Sequence, residues 1–327
     1  DTGGSVRQPA ALCGISGFKP TYGAISRYGL IAFGSSLDQV SPLARSARDL
    51  ERCFEALSGH DPADSTSISW PGFVPEQLAA TDLEGLRVGV PRQVLAGGLP
   101  GIDDDVREQV EAALVALEAL GAKRVLVDLP HVAHAIPTYY VVATAEASSN
   151  LARYAGVGYG LRVAGEDGSL QGMFSATRAA GFGLEVERRI LLGTHVLSAG
   201  WRDAWYDRAL RVRRLVARDH ERAFEECHVL VGPTSPTPAF RLGERADDPV
   251  AMYASDVLTV PASLAGLPAL STPCGFVVRD GERLPVGLQI VGPALADGRV
   301  LRVARVFGQA TDHASERSPL ALGEVSR

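Results

Sequence analysis

Residues Leu86–Val90 (LRVGV), Asp103–Leu120 (DDDVREQVEAALVALEAL) and Arg124–Leu129 (RVLVDL) decide the fold class. The first and last are short apolar runs rich in valine, which reads as strand. Between them Val106, Val110, Leu114 and Leu117 recur at helical spacing. One face of that segment is therefore apolar, and a helix is predicted. Asp103, Asp104 and Asp105 stand at its start and suit the positive end of the helix dipole. Strand, helix and strand over this distance form a βαβ unit. That unit needs a crossover, and so an α/β sheet covered by helices.

Working outward, apolar spacing predicts helices over Ser46–Leu57, Pro137–Arg153, Phe182–Leu197, Asp203–Cys227, Val257–Leu264 and Gly298–Gln309. The helix from Asp203 is long and arginine-rich on its solvent side. Strands are expected at His228–Gly232, Ala269–Val277 and Pro285–Val291. Residues 1–43, rich in Gly, Ser and Pro, read as loops and short strands around one helical turn. The stretches 60–84, with Pro62, Pro71 and Pro75, and 233–249 read as loops rather than linkers, because apolar periodicity resumes after each.

A length of 327 residues allows about two domains or one large α/β domain. Hydrophobic residues at 46% and charged residues at 21% fit a globular chain, and no apolar run reaches bilayer length. A formal charge of −6 without a Lys/Arg cluster argues against an autonomous nucleic-acid binder. The opening DTGGSVRQPA has no basic start followed by an apolar stretch, so no signal peptide is expected. Cys13, Cys53, Cys227 and Cys274 are widely spaced and read as reduced, mostly buried thiols of a cytosolic protein. Of the 32 basic residues only Lys19 and Lys123 are lysines.

Asp1-Thr2-Gly3-Gly4-Ser5 places a hydroxyl after two glycines. Glycine permits positive φ and close backbone approach, and successive N–H groups in such a turn can converge on a negative oxygen. A serine there can attack a carbonyl while the amides hold the oxyanion. A bare Gly-Gly-Ser reads as a flexible turn before it reads as a catalytic one. Other chemistries find less support. Cys13 has no histidine near it in sequence, and reads as a buried thiol rather than a nucleophile. An N-terminal nucleophile is not expected, since residue 1 is Asp. His131 and His134 can share a helix face, but no H-E-x-x-H pattern accompanies them. Cys227 and His228 straddle a helix end and a strand start, so their side chains should diverge. GVGYG (156–160) lacks the strand–turn–helix context of a nucleotide loop.

The wider string changes the weight of the glycine-serine turn. DTGGSVRQPAALCGISGFKPTYG, followed by SRYGLIAFGSSLDQVSPLARSARDL, resembles the amidase signature family over residues 1–50. Further stretches, TYYVVATAEASSNLARYAGVGYG, GLEVERRILLGTHVLSAG and DDPVAMYASD, are similar to one branch of it: the glutaminase subunits of tRNA-dependent amidotransferases. The resemblance implies a mixed β-sheet flanked on both faces by α-helices, and a single catalytic domain over 1–327.

Position by position, Ser5 matches the family's acyl-accepting serine, and Thr2, Gly3 and Gly4 match the oxyanion cradle. The family also uses a lysine and a bridging serine in a cis peptide, both upstream of the signature serine. Lys19 sits in a separate family feature, GFKPTYG, and Lys123 begins a strand. The chain is therefore expected to lack an N-terminal part of the fold that carries those two residues. The family pattern assigns Arg189 to the α-carboxylate of glutamine, Asp256 to its α-ammonium, and Tyr139 to the pocket wall. Arg188 is a neighbouring candidate for the carboxylate. Without the family, Arg189 reads as a solvated helix residue, Asp256 as the N-cap of Val257–Leu264, and Tyr139 as a core aromatic.

The implied chemistry is hydrolysis of glutamine to glutamate and ammonia, with no cofactor or metal in this chain. The implied partners are a B and a C subunit. The B subunit would use ATP and magnesium to amidate Glu-tRNA(Gln) or Asp-tRNA(Asn) with ammonia delivered through a tunnel. Two alternatives are a free-standing amidase acting on another small amide, and a catalytically silent scaffold.

Overall fold

The computed structural model describes residues 1–70, 73, 81–95, 99, 101–245 and 248–318. Pro71 and Pro75 lie outside them. The chain divides into two compact units. The first comprises Asp1–Tyr28, Gln39–Ile136 and Arg214–Arg327; the second comprises Gly29–Asp38 and Pro137–Arg213.

The first unit holds a seven-stranded mixed sheet. Its strands are β1 (Ser16–Lys19), β2 (Leu43–Ala44), β3 (Arg87–Pro91), β4 (Lys123–Val127), β5 (Val229–Pro233), β6 (Ala269–Arg279) and β7 (Glu282–Val291). They lie in the order β2-β1-β6-β7-β5-β3-β4. The predicted βαβ unit is present: β3 and β4 pair in parallel, Val88 opposite Arg124, and α4 (Asp104–Ala119) connects them. β5 continues the parallel part, and β7, β6 and β1 join antiparallel.

β6 and β7 extend beyond their predicted ends, because they form a hairpin around Asp280 and Gly281. Both turn residues have positive φ, 52° and 84°, which suits a tight two-residue hairpin. The solvated hairpin tip needs no apolar side chains, so hydrophobicity alone cut these strands short.

The sheet has two unlike faces. Leu270, Leu288 and Ile290 join Val110, Leu114 and Leu117 of α4 and Val300, Val303 and Phe307 of α11 (Asp297–Ala310) in one apolar core. In the same core, Phe54 of α2 (Ala47–Leu57) meets Phe18 edge-on at 5.2 Å, and the Ser46 hydroxyl caps that helix by accepting from Asp49 N. Strand side chains alternate faces, so Gln289 points away from this core, toward the helix α1 (Arg7–Cys13).

Two sequence expectations change here. The predicted helix Val257–Leu264 begins later, as α10 (Val260–Leu264), and Thr259 rather than Asp256 holds the N-cap position. Asp103, Asp104 and Asp105 do stand at the start of α4, and Asp103 and Asp105 also bind Arg279 at the end of β6. Cys13, expected to be buried, is exposed at the end of α1. Cys227 and His228 do diverge. The Cys227 thiol donates to Ala223 O, whereas His228 Nδ1 accepts from Arg87 N.

The second unit is helical: α5 (Ala135–Leu151, from Pro137 onward), α6 (Leu170–Gly181), α7 (Leu184–Leu197) and the first part of α8 (Arg202–Glu226). Helix α6 escaped the apolar-spacing reading. It carries two glycines, its large apolar residues Leu170, Met173 and Phe174 are confined to its first turns, and a Ser169 hydroxyl cap accepting from Gly172 N at 2.8 Å starts it. The short α3 (Arg92–Leu95) and α9 (Pro249–Ala254) also lie outside the predicted elements.

Candidate active site

In the first unit the chain from Asp1 to Ser5 turns directly into α1. The Asp1 carboxylate accepts from the backbone N–H groups of Val6 and Arg7 at 3.4 and 3.2 Å. Gln8 N donates to Gly4 O at 2.8 Å. The N–H groups that follow Ser5 are thus consumed within the turn. Those of Gly3, Gly4 and Ser5 have no acceptor among the described residues. Gly4 has a φ of +144°, in the region that favours glycine. Gly3 and Gly4 are buried and Ser5 is exposed. A hydroxyl at the surface, flanked by successive open amides, is the arrangement needed to receive a carbonyl that is gaining negative charge.

Two buried residues that sequence reasoning did not single out hold this turn. Arg7 is fully buried. Its guanidinium donates from Nε and Nη2 to the Asp1 carboxylate, from Nη1 to Thr259 O and Gln289 Oε1, and from Nη2 to Ser263 Oγ. Burial lowers its pKa to about 9, and the nearby Asp256 carboxylate opposes that shift, so Arg7 remains a cation at neutral pH. The second, Thr259, donates from Oγ1 to Gly3 O at 2.7 Å. An arginine inside a Gly/Ser/Pro-rich stretch is an available signal for the first; nothing in VLTVPASLAG marks the second.

Asp256 belongs to the same neighbourhood. Its carbonyl accepts from Thr259 N and Val260 N, forming the tight turn before α10. Gln8 Nε2 reaches from α1 to the carbonyl of the adjacent Ser255 at 2.7 Å. The first unit therefore brings Ser5 and Asp256 onto neighbouring, hydrogen-bonded segments.

Neither lysine is bonded to Ser5. Lys19 is buried in β1, donates to Pro20 O, and is pushed well below its ordinary pKa by burial and by Arg7. Lys123 is exposed at the start of β4, an edge strand.

Tyr139 and Arg189 lie in the second unit. Tyr139 is buried on α5 and meets Tyr140 edge-on at 5.1 Å. Arg189 on α7 is half-buried, donates from Nε to Glu185 at 2.8 Å, and stands 5.5 Å over the Phe33 ring. Burial opposes its charge, but the Glu185 hydrogen bond and the Tyr139 phenol raise its pKa above the ordinary value. Phe33 is held by its loop, where Asp38 accepts from Phe33 N and Gly34 N, and Asn150 donates to Phe33 O. Arg188 also pairs with Glu185 but is more exposed.

Elsewhere, His131 Nδ1 pairs with the buried Asp219 at 3.0 Å. Among the described residues no group of three or more His, Cys, Asp or Glu is placed to hold a metal ion, and no helix is long and apolar enough to cross a membrane.

A family model described as Amidase matches residues 1–301. Two curated relatives bear the name of the A subunit of glutamyl-tRNA(Gln) amidotransferase. That of Halalkalibacterium halodurans is 51% identical over 98% of this chain, and that of Moorella thermoacetica is 52% identical over 98%. The chain spans 64% of the length of each. The crystal structure of the A subunit of glutamyl-tRNA(Gln) amidotransferase from Thermotoga maritima superimposes with a TM-score of 0.74 at 41% identity. That match covers 94% of this chain and 61% of the other.

Proposed function

The chain belongs to the amidase family, and from that premise we propose that the whole protein is the glutamine-hydrolysing A subunit of a tRNA-dependent amidotransferase. The observation that carries the reading is the exposed Ser5 hydroxyl beside the open N–H groups of Gly3, Gly4 and Ser5. The names and identities of the relatives support the choice of substrate.

A primary amide is a poor electrophile, and its nitrogen leaves only when protonated. In the proposed reaction Ser5 Oγ attacks the side-chain carboxamide carbon of glutamine. The hydroxyl proton passes through the bridging serine to a neutral lysine, the two triad members that the family carries upstream of the Ser5 position. The carbonyl oxygen becomes an oxyanion within the Thr2–Ser5 turn, where one such donor contributes about 3 kcal/mol to the transition state. The lysine returns the proton to the leaving nitrogen, ammonia departs, and water cleaves the acyl-serine to glutamate. Arg189 receives the α-carboxylate, its planar fork suiting two-point binding, and Asp256 receives the α-ammonium. Tyr139 lines the pocket on the Arg189 side. Ammonia then passes to a B subunit that uses ATP and magnesium to activate and amidate the misacylated tRNA, in a complex with a C subunit.

The test is Ser5→Ala in the full-length protein assembled with its partners. Ammonia release from glutamine should be abolished, while tRNA amidation fed by an ammonium salt persists. Retained glutaminase activity would remove Ser5 from its role. Loss of both activities would point to damage to the assembly instead.

A further inference from the structure

We infer that Thr259 is a positioning residue for the oxyanion turn: its buried hydroxyl fixes the peptide plane that aims the Gly4 N–H at the substrate oxygen. The inference rests on the reading of Ser5 given above and extends it to a residue on a different segment.

The carbonyl of Gly3 and the N–H of Gly4 belong to one rigid trans unit, in which C=O and N–H point in opposite directions. Whatever holds the Gly3 oxygen therefore sets the direction of the Gly4 hydrogen. Thr259 Oγ1 lies 2.7 Å from that oxygen, inside the protein. A hydroxyl has one proton to donate, and the competing acceptor, Asp256 O, is farther at 3.2 Å. The next plane is treated alike. Gly4 O accepts from Gln8 N at 2.8 Å, which directs the Ser5 N–H the opposite way. Both planes are thus pinned by their carbonyls, and both N–H groups are left open among the described residues.

Thr259 is itself held on every side. It is 0% exposed, its carbonyl accepts from Arg7 Nη1 at 2.9 Å, and its N–H donates to Asp256 O. The β-branched side chain restricts χ1, and the short bond to Gly3 O holds Oγ1 in place. The fit also explains why the residue facing it is a glycine. A Cβ built on Gly4 would lie 2.2 Å from Thr259 Oγ1 and 2.7 Å from Thr259 Cβ. The three atoms nearest to that position all belong to Thr259.

Thr259 touches no reacting atom, so its removal should act on the chemical step and leave substrate binding alone. In the full-length assembled enzyme, Thr259→Val keeps the shape and loses the proton. It is expected to lower kcat for glutamine hydrolysis about 10- to 100-fold, less than loss of a whole oxyanion donor, with KM changed less than about twofold. Thr259→Ser keeps the donor and loses the methyl group, and should retain at least about a third of kcat although it unfolds more readily. A merely structural threonine predicts the reverse order, with serine the worse variant. That outcome, or an unchanged kcat in Thr259→Val, overturns the inference. Should the valine protein fail to accumulate, the serine variant decides alone, because a kcat loss beyond tenfold there removes the hydroxyl from its role. Ser5→Ala measured alongside separates the two failures. If glutamine hydrolysis survives it, the reading of the whole site falls; if it does not, but Thr259→Val is fully active, only the role of Thr259 falls.

Discussion

Arg7 grips the Asp1 carboxylate at two points, Nε to Oδ2 at 2.9 Å and Nη2 to Oδ1 at 2.8 Å, and neither side chain is exposed. The same guanidinium reaches Thr259 O, Gln289 Oε1 and Ser263 Oγ. One cation thus joins the start of the chain, β7 and α10 behind the Ser5 turn. A lysine has a single ammonium and cannot reproduce a planar fork with that many directions. Arg7→Lys keeps the charge beside Asp1 but leaves several of those buried acceptors unpaired, and should therefore cost about 2–3 kcal/mol. Urea unfolding measures it, and a loss below about 1 kcal/mol would show that the hub is dispensable.

Much of the first unit follows from periodicity, because its helices pack one apolar face on a sheet. Val106, Val110, Leu114 and Leu117 are all buried, and Leu50 and Phe54 of α2 likewise. What escaped has physical reasons. Helix α1 is seven residues long and opens from a turn rich in glycine, so no spacing pattern can build up. Arg7 was illegible because a buried cation is recognised by its partners, and Ser263 and Gln289 are far away in sequence. Thr259 was hidden for the same reason, since its hydrogen bond to Gly3 joins residues 256 apart. Ser5 stands out as a candidate through the motif around it. Its open amides became visible only once the hydrogen bonds of Val6, Arg7 and Gln8 were assigned.

The second unit contains a glycine whose role is to let two helices meet. A Cβ on Gly193 of α7 would stand 1.9 Å from the carbonyl oxygen of Thr144 and 2.7 Å from Ser148 Cβ, both on α5. Alanine improves helix propensity by about 1 kcal/mol, but here it collides with backbone that cannot rotate away. Gly193→Ala should give a net loss of about 1–3 kcal/mol. Gly308 in α11 is the control, because a Cβ there meets nothing within 4 Å. Gly308→Ala should stabilise by roughly 0.5–1 kcal/mol. Thermal unfolding of the two variants should move in opposite directions, and equal shifts would contradict the packing described.

Arg189 and Arg188 share Glu185; Arg189 is the less exposed of the two, stands over Phe33 and feels Tyr139. On the proposed function Arg189→Ala should raise KM for glutamine by at least about tenfold and change kcat far less, the pattern for lost uniform binding. Arg188→Ala should leave both within about twofold. Steady-state glutaminase kinetics on the full-length complex discriminates the two, and a KM effect confined to Arg188 would reassign the carboxylate clamp.

His220 gives the fold a calculable acid sensitivity. It is buried, and its Nδ1 lies 2.8 Å from Val216 O. A carbonyl only accepts, so Nδ1 carries the proton. His220 also borders a small cavity of about 40 Å³ that is otherwise lined mainly by apolar residues such as Val94, Leu129 and Leu230. Burial lowers its pKa below the ordinary 6.5, because charging the ring would place a second N–H in that surrounding. Below pH 6.5 the unfolded chain binds a proton that the folded chain refuses. This group's contribution to stability is therefore complete above pH 6.5, and falls as the pH drops through the window beneath it. The limiting slope is about 1.4 kcal/mol per pH unit. His220→Leu removes the titration while keeping an apolar filling. The stability gap between wild type and His220→Leu, from urea unfolding at pH 7.5 and 5.5, should thus shrink by up to about 1 kcal/mol at the lower pH. A gap that widened under acid would mean that the folded state favours the imidazolium, and the assignment of a neutral, Nδ1-protonated ring would have to be withdrawn.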